Sequence, residues 1–211
     1  KTAYEILTCD WSSDVCSSDL GFETRMLKPG EGPPPLSIAS REMAKFAGFF
    51  NRGGKGFGGF AGAGPSRPQV FCVEPLKYVG QEPLRIDLEN FKAALAGKKV
   101  TEAYLPANTP GTIEHWLRND YYKSDEEFLY AIAEAMRVEY KAIVDAGLLV
   151  QIDDARAAVT YDRMVPPASF EDYRRWLGMH QEALNHALRG IPEDRVRYHV
   201  CWGSWPGPHT T

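Results

Sequence analysis

Three short stretches carry residue types that could do chemistry, and each closes a strand-like run. The first is Arg197-Tyr198-His199-Val200-Cys201-Trp202-Gly203. Successive strand side chains point to opposite faces, so His199 and Cys201 share one face while Tyr198, Val200 and Trp202 share the other. A neutral imidazole and a thiolate are both good zinc ligands, so this pair could form part of a thiol-activating metal site. The second stretch ends in Gln151-Ile152-Asp153-Asp154, with Gln151 and Asp153 on one face. The third runs through Ala107-Asn108-Thr109-Pro110-Gly111-Thr112 into Ile113-Glu114-His115-Trp116. From the residues alone each has a plainer reading beside the chemical one. A strand cysteine can be a small buried hydrophobe, Asp153 can cap the next segment, and Trp116 can belong to the core.

The elements that must position these residues are legible from residue 69 onward. Strands are expected over 69–73, 100–106, 148–153 and 196–201, and helices over 87–96, about 124–146 and about 169–189. Ser124 opens the second helix, with Glu127 three residues on forming a capping box, and Gly147 suits its C-terminal cap. Phe128, Leu129, Ile132, Ala133, Met136, Tyr140, Ile143 and Val144 give that helix an apolar stripe. Strands alternating with helices indicate a parallel α/β sheet. Four strands are too few for a closed eight-stranded barrel, which usually needs about 250 residues. The fold class expected is therefore α/β, as a partial (β/α)8 TIM barrel with about four central β/α units. In such a fold the functional groups lie at the C-terminal ends of the strands, where all three stretches sit.

Upstream the chain reads poorly. Pro33-Pro34-Pro35 and the glycine-rich run at 53–64 punctuate a short apolar patch at 43–50, so 21–68 is expected to be irregular, with the glycines in a loop. Residues 10–20 (DWSSDVCSSDL) match the conceptual translation of a common sequencing adapter over eleven consecutive positions, so 1–20 is expected to be non-native. The three parts expected are thus 1–20, 21–68, and a barrel portion at 69–211, truncated at its C-terminus.

At 211 residues, with 44% hydrophobic and 25% charged residues, the composition is that of an ordinary globular domain. The net charge is −4, and residues 1–20 hold one base and four acids, so the remainder is close to neutral. No basic stripe points to nucleic acid, and no apolar run is long enough to cross a bilayer. With 1–20 set aside, Cys72 and Cys201 remain, too few for a disulfide framework, and the expected location is the cytoplasm.

Taken in order, the glycine-rich loop, the strand followed by Trp116, the helix ending Asp-Ala-Gly, Gln-Ile-Asp and His-X-Cys resemble the cobalamin-independent methionine synthase family. The resemblance covers roughly residues 69–208 and is most specific over 139–154 and 189–203. It implies a (β/α)8 barrel that transfers a methyl group from a folate-like donor to the thiol of homocysteine, with Zn(2+) as cofactor. By the same resemblance His199 and Cys201 match two zinc ligands, Asp153 the aspartate that binds the substrate amino group, and Trp116 a tryptophan against the folate ring. The partners implied are the small-molecule thiol and its methyl donor, with no nucleic acid and no membrane. The family's other zinc ligands and its catalytic histidine would fall beyond Thr211, so no catalytic residue is assigned. Ala155 stands where the family pattern has proline. Two other expectations compete: a related zinc thiol alkyltransferase using an epoxide or other alkyl donor with a coenzyme M-like acceptor, or an inactive fragment. Asp153 suits an amino group better than a sulfonate, and two ligands alone would not hold zinc tightly.

Overall fold

In the computed structural model of the chain, residues 22–29, 31, 44–50, 69–201 and 208 are described. The adapter-like segment at 10–20 with Cys9 and Cys16, the glycine-rich run at 53–64, the prolines at 33–35, and Trp202, Gly203 and His209 lie outside them.

In chain order the elements are strand β1 (Phe22–Arg25), a helical turn at Ala47–Phe50, strand β2 (Gln69–Cys72) and helix α1 (Gln81–Leu95). Strand β3 (Tyr104–Asn108), the short helix α2 (Pro110–Glu114) and strand β4 (Leu117–Asn119) follow. Helix α3 (Asp125–Asp145), strand β5 (Leu149–Asp154), helices α4 (Ala157–Met164) and α5 (Phe170–Ala187), and strand β6 (Val196–Val200) complete the set. The fold is mixed α/β with parallel strands, as the alternation predicts. The strands do not form one continuous row, however. They fall into a sheet ordered β1-β2-β4 and an all-parallel sheet ordered β3-β5-β6, and the described residues form no closed barrel. The reason lies in the pairing of β2, which takes β1 on one side, antiparallel, and the short strand β4 on the other. Neither β1 nor β4 has the length or alternation that marks a strand in the sequence.

Helix α3 is the centre of the packing. Its stripe of Phe128, Leu129, Ile132, Ala133, Met136, Tyr140 and Ile143 is buried, whereas Val144 is only partly covered. That face meets α5, α2, β5 and β3. Each large apolar side chain so buried stabilises the fold by about 1.5–3 kcal/mol. Ser124 Oγ accepts the N–H of Glu127 as expected, but the Glu127 carboxylate accepts from Lys123 N–H rather than from the cap, so the box is only half formed. A complete capping box occurs instead on α5, between Ser169 and Asp172. At the other end of α3 the chain must reverse into β5 at once. Gly147 turns there at φ 87, a conformation costly for any residue with a Cβ.

Two elements shift and two helices appear that were not expected. Helix α1 starts at Gln81 rather than 87, with Pro83 in the first turn, where no backbone N–H bond is lost. Strand β3 lies at Tyr104–Asn108 rather than 100–106, which brings Asn108 into the sheet. Helices α2 and α4 occupy stretches with no helical expectation, and α4 fills the segment just after Asp153.

Candidate functional site at the C-terminal end of the parallel sheet

Strand β5 is the middle strand of the parallel sheet. Val150, Ile152 and Asp154 point to its buried face, and Gln151 and Asp153 to the other. The register pairs Asn108 with Asp153 and Asp153 with His199, so these three residues stand in one row across β3, β5 and β6 at the strands' C-terminal ends. Beyond the last residue of β6, Cys201 N–H still donates to Asp154 O at 2.9 Å, which keeps Cys201 beside β5. The backbone thus brings Asp153, His199 and Cys201 together as their strand-end positions suggest. Asn108 joins them through a register that the sequence does not reveal.

His199 Nε2 lies 3.9 Å from Asp153 Oδ1, and both side chains are partly exposed. That carboxylate oxygen is itself shielded from solvent and has no hydrogen-bond partner among the described residues. A shielded acceptor of this kind costs free energy until a donor or a cation satisfies it. Cys201 is a free, half-buried thiol. Among the described residues no group of three or more His, Cys, Asp or Glu side chains is arranged to hold a metal ion.

Capping is done by the neighbour. Asp154 Oδ1 accepts the N–H groups of Arg156 and Ala157 at the start of α4, at 2.9 and 2.7 Å. Its Oδ2 accepts from the Tyr198 hydroxyl at 2.6 Å and from Gln181 Nε2 at 3.3 Å. Asp154 is therefore a structural carboxylate, committed at both oxygens, and Asp153 is left free of that task. An aspartate two residues before a helix could have signalled this cap, had α4 been visible in the sequence.

The loops at the strand ends are tied to one another. Thr109 caps α2 by accepting Thr112 N–H, and Thr109 N–H donates to Asp153 O. Thr112 Oγ1 accepts the N–H of Ala155 at 3.0 Å. Proline has no N–H, so this bond requires a residue other than proline at position 155.

The same α2 segment approaches α5 closely. A Cβ placed on Gly111 would sit 2.6 Å from His180 Cδ2, and that ring cannot swing freely. It lies 4.0 Å from the Trp176 ring, and its Nδ1–H donates to Trp176 O at 2.8 Å. Gly111→Ala is accordingly expected to destabilise the protein by about 1–3 kcal/mol. An unchanged urea midpoint in the variant would show that the approach is looser than described.

Trp116 is 62% exposed, which removes the reading of it as a core residue. Its ring meets that of His115 in a T-shaped contact, with centroids 4.9 Å apart. His115 is half-buried and its Nδ1 lies 3.1 Å from Arg163 Nη1. Burial, with the positive charges of Arg156 and Arg163 nearby, pushes the His115 imidazole down to about 2, so it is neutral and accepts from Arg163.

No protein-family model matches the chain. The chain is 30% identical over 156 residues to a methionine synthase of Pyrococcus horikoshii, an alignment covering 70% of this chain and 41% of that protein. It is 28% identical over 140 residues to a methionine synthase of Sulfurisphaera tokodaii, covering 66% and 36%. Among solved structures, a B12-independent methionine synthase from Shewanella sp. W3-18-1 in complex with selenomethionine aligns at TM-score 0.45 and 21% identity, over 64% of this chain and 35% of that one. No helix among the described residues is long and apolar enough to cross a membrane. The chain is thus similar to archaeal methionine synthases, and spans about two fifths of their length.

Proposed function

We propose that the chain carries part of the catalytic domain, of (β/α)8 barrel type, of a zinc-dependent methyltransferase. The enzyme would move a methyl group from a methyltetrahydrofolate-type donor to the thiol of homocysteine, giving methionine. The observation that carries this reading is the row Asn108–Asp153–His199, with Cys201 beside it, at the C-terminal end of a parallel sheet. The similarity to archaeal methionine synthases supports it.

His199 and Cys201 would supply two ligand positions, one nitrogen and one sulfur, a donor set that suits zinc. Bound zinc supplies thiol acidity, holding a substrate thiol as the more nucleophilic thiolate. The chain's own groups then have separate tasks. The unpartnered Asp153 Oδ1 would accept from the substrate ammonium group, which answers its lack of a hydrogen bond. A charged ammonium fits that oxygen better than a sulfonate, favouring an amino-acid thiol as acceptor. Trp116 presents an open ring face on which the flat ring of the donor would stack. Asp154, with its four donors, holds the loop after β5 and so fixes the direction of Asp153.

Zinc per chain in the natural full-length protein tests this reading. Cys201→Ser is expected to lower zinc affinity at least about tenfold, since an alcohol is a far weaker ligand than a thiolate. Equal zinc content in variant and wild type after dialysis against a chelator would remove Cys201 from the ligand set.

A further inference from the structure

Behind the β5 end lies a cluster of cationic and polar side chains that the methyl-transfer reading does not use. Arg156, the residue that precedes α4, is only 2% exposed. Its Nε and Nη2 are shut off from solvent and have no hydrogen-bond partner among the described residues. Arg163, two turns further along α4, gives Nη1 to His115, yet its Nε is likewise buried and unpartnered. Thr160, between them on the same helix, is buried with an unpartnered hydroxyl. Thr160 and Arg163 lie on one face of α4, three residues apart, and Arg156 is the residue from which that helix starts.

A buried guanidinium without an acceptor is costly, because it gives up water and receives nothing in return. The nearby carboxylates do not remove the problem. Asp154 has both oxygens committed to other donors. Glu114 acts on both arginines only electrostatically, and its one ion-pair contact, 3.7 Å, is to His180. Burial and the mutual repulsion of the two guanidinium groups depress the Arg156 cation to about 9. Two neighbouring cations, and a hydroxyl on the same helix as Arg163, thus lack an acceptor among the described residues.

We infer that Arg156, Thr160 and Arg163 form a binding site for a small oxyanion, the carboxylate or phosphate group of a ligand, beside the C-terminal end of β5. An oxyanion supplies several acceptor atoms at once and suits the forked donors of arginine. Arg163 is half-buried and is the most exposed of the three residues. The inference does not rest on zinc or on methyl transfer, so either can fail without the other.

The test is thermal unfolding of the full 211-residue chain, titrated with sodium phosphate or sodium acetate at constant ionic strength. Phosphate or acetate is expected to raise the Tm saturably, and Arg163→Met to weaken the apparent affinity by roughly tenfold. Arg156→Met is expected to abolish the saturable response. If that variant does not fold by circular dichroism, Arg163→Met, at the more exposed position, decides. Tighter binding of phosphate assigns a tetrahedral anion, and equal or tighter binding of acetate assigns a ligand carboxylate. Either result supports the site. A wild-type Tm that does not respond saturably to either anion overturns the inference, as does an undiminished response in Arg163→Met.

Discussion

Asp154→Ala is expected to lower the stability of the protein by roughly 3–5 kcal/mol, a large part of the stability of a domain this size. The carboxylate is buried and accepts from two backbone N–H groups at the start of α4, from the Tyr198 hydroxyl on β6 and from Gln181 on α5. One side chain thus ties the β5–α4 junction to two segments distant in sequence, α5 and β6. Truncation leaves those donors without an acceptor, at about 1–3 kcal/mol for each that stays buried. It also removes a negative charge from the neighbourhood of Arg156. Asp154→Asn keeps one acceptor oxygen and is expected to recover part of the loss. Chemical denaturation of the three proteins side by side gives the comparison. A loss below about 1 kcal/mol in the alanine variant would mean that water replaces the carboxylate and that the network adds little.

The second large effect is one of pH. Glu139 lies on the buried side of α3, and its single side-chain hydrogen bond comes from Tyr78, at 3.2 Å. Burial pushes its carboxyl up to about 7, with a further upward push from Asp87 and a downward one from the Tyr78 hydroxyl. A carboxyl whose pKa is higher in the folded chain favours folding while protonated. That contribution is complete below the ordinary value of 4.5 and is lost as pH rises through about 7. The loss on full ionisation is of the order of 3 kcal/mol. Glu139→Gln keeps an acceptor for Tyr78 and carries no charge. It is therefore expected to match the wild type near pH 4.5 and to exceed it in stability at pH 8. Parallel stability–pH curves for the two proteins would show that Glu139 does not titrate in this range.

The strand ends that carry the candidate site were legible because β alternation needs only local sequence. Gln151 with Asp153 on one face of its strand, and His199 with Cys201 on one face of another, follow from a period of two. The core stripe of α3 and the cap at Ser124 were legible for the same reason, since periodicity and capping are properties of a few consecutive residues. Short elements escaped. Strands β1 and β4 have four and three residues, and α2 has five, lengths at which no period can be recognised.

By itself, then, the sequence of this protein determined which residues could act and on which strand faces they lie, because side-chain alternation is a local consequence of backbone geometry. It also determined the long helices, whose apolar stripes must be buried somewhere. Only the tertiary structure decided what those residues meet. It paired Asp153 with His199 and Asn108 through strand register, gave the capping task to Asp154, and left Trp116 open to solvent. It also split the strands into two sheets and buried Arg156 without an acceptor. Each of these depends on contacts between segments far apart in the chain, where register and burial are set by packing and not by local pattern.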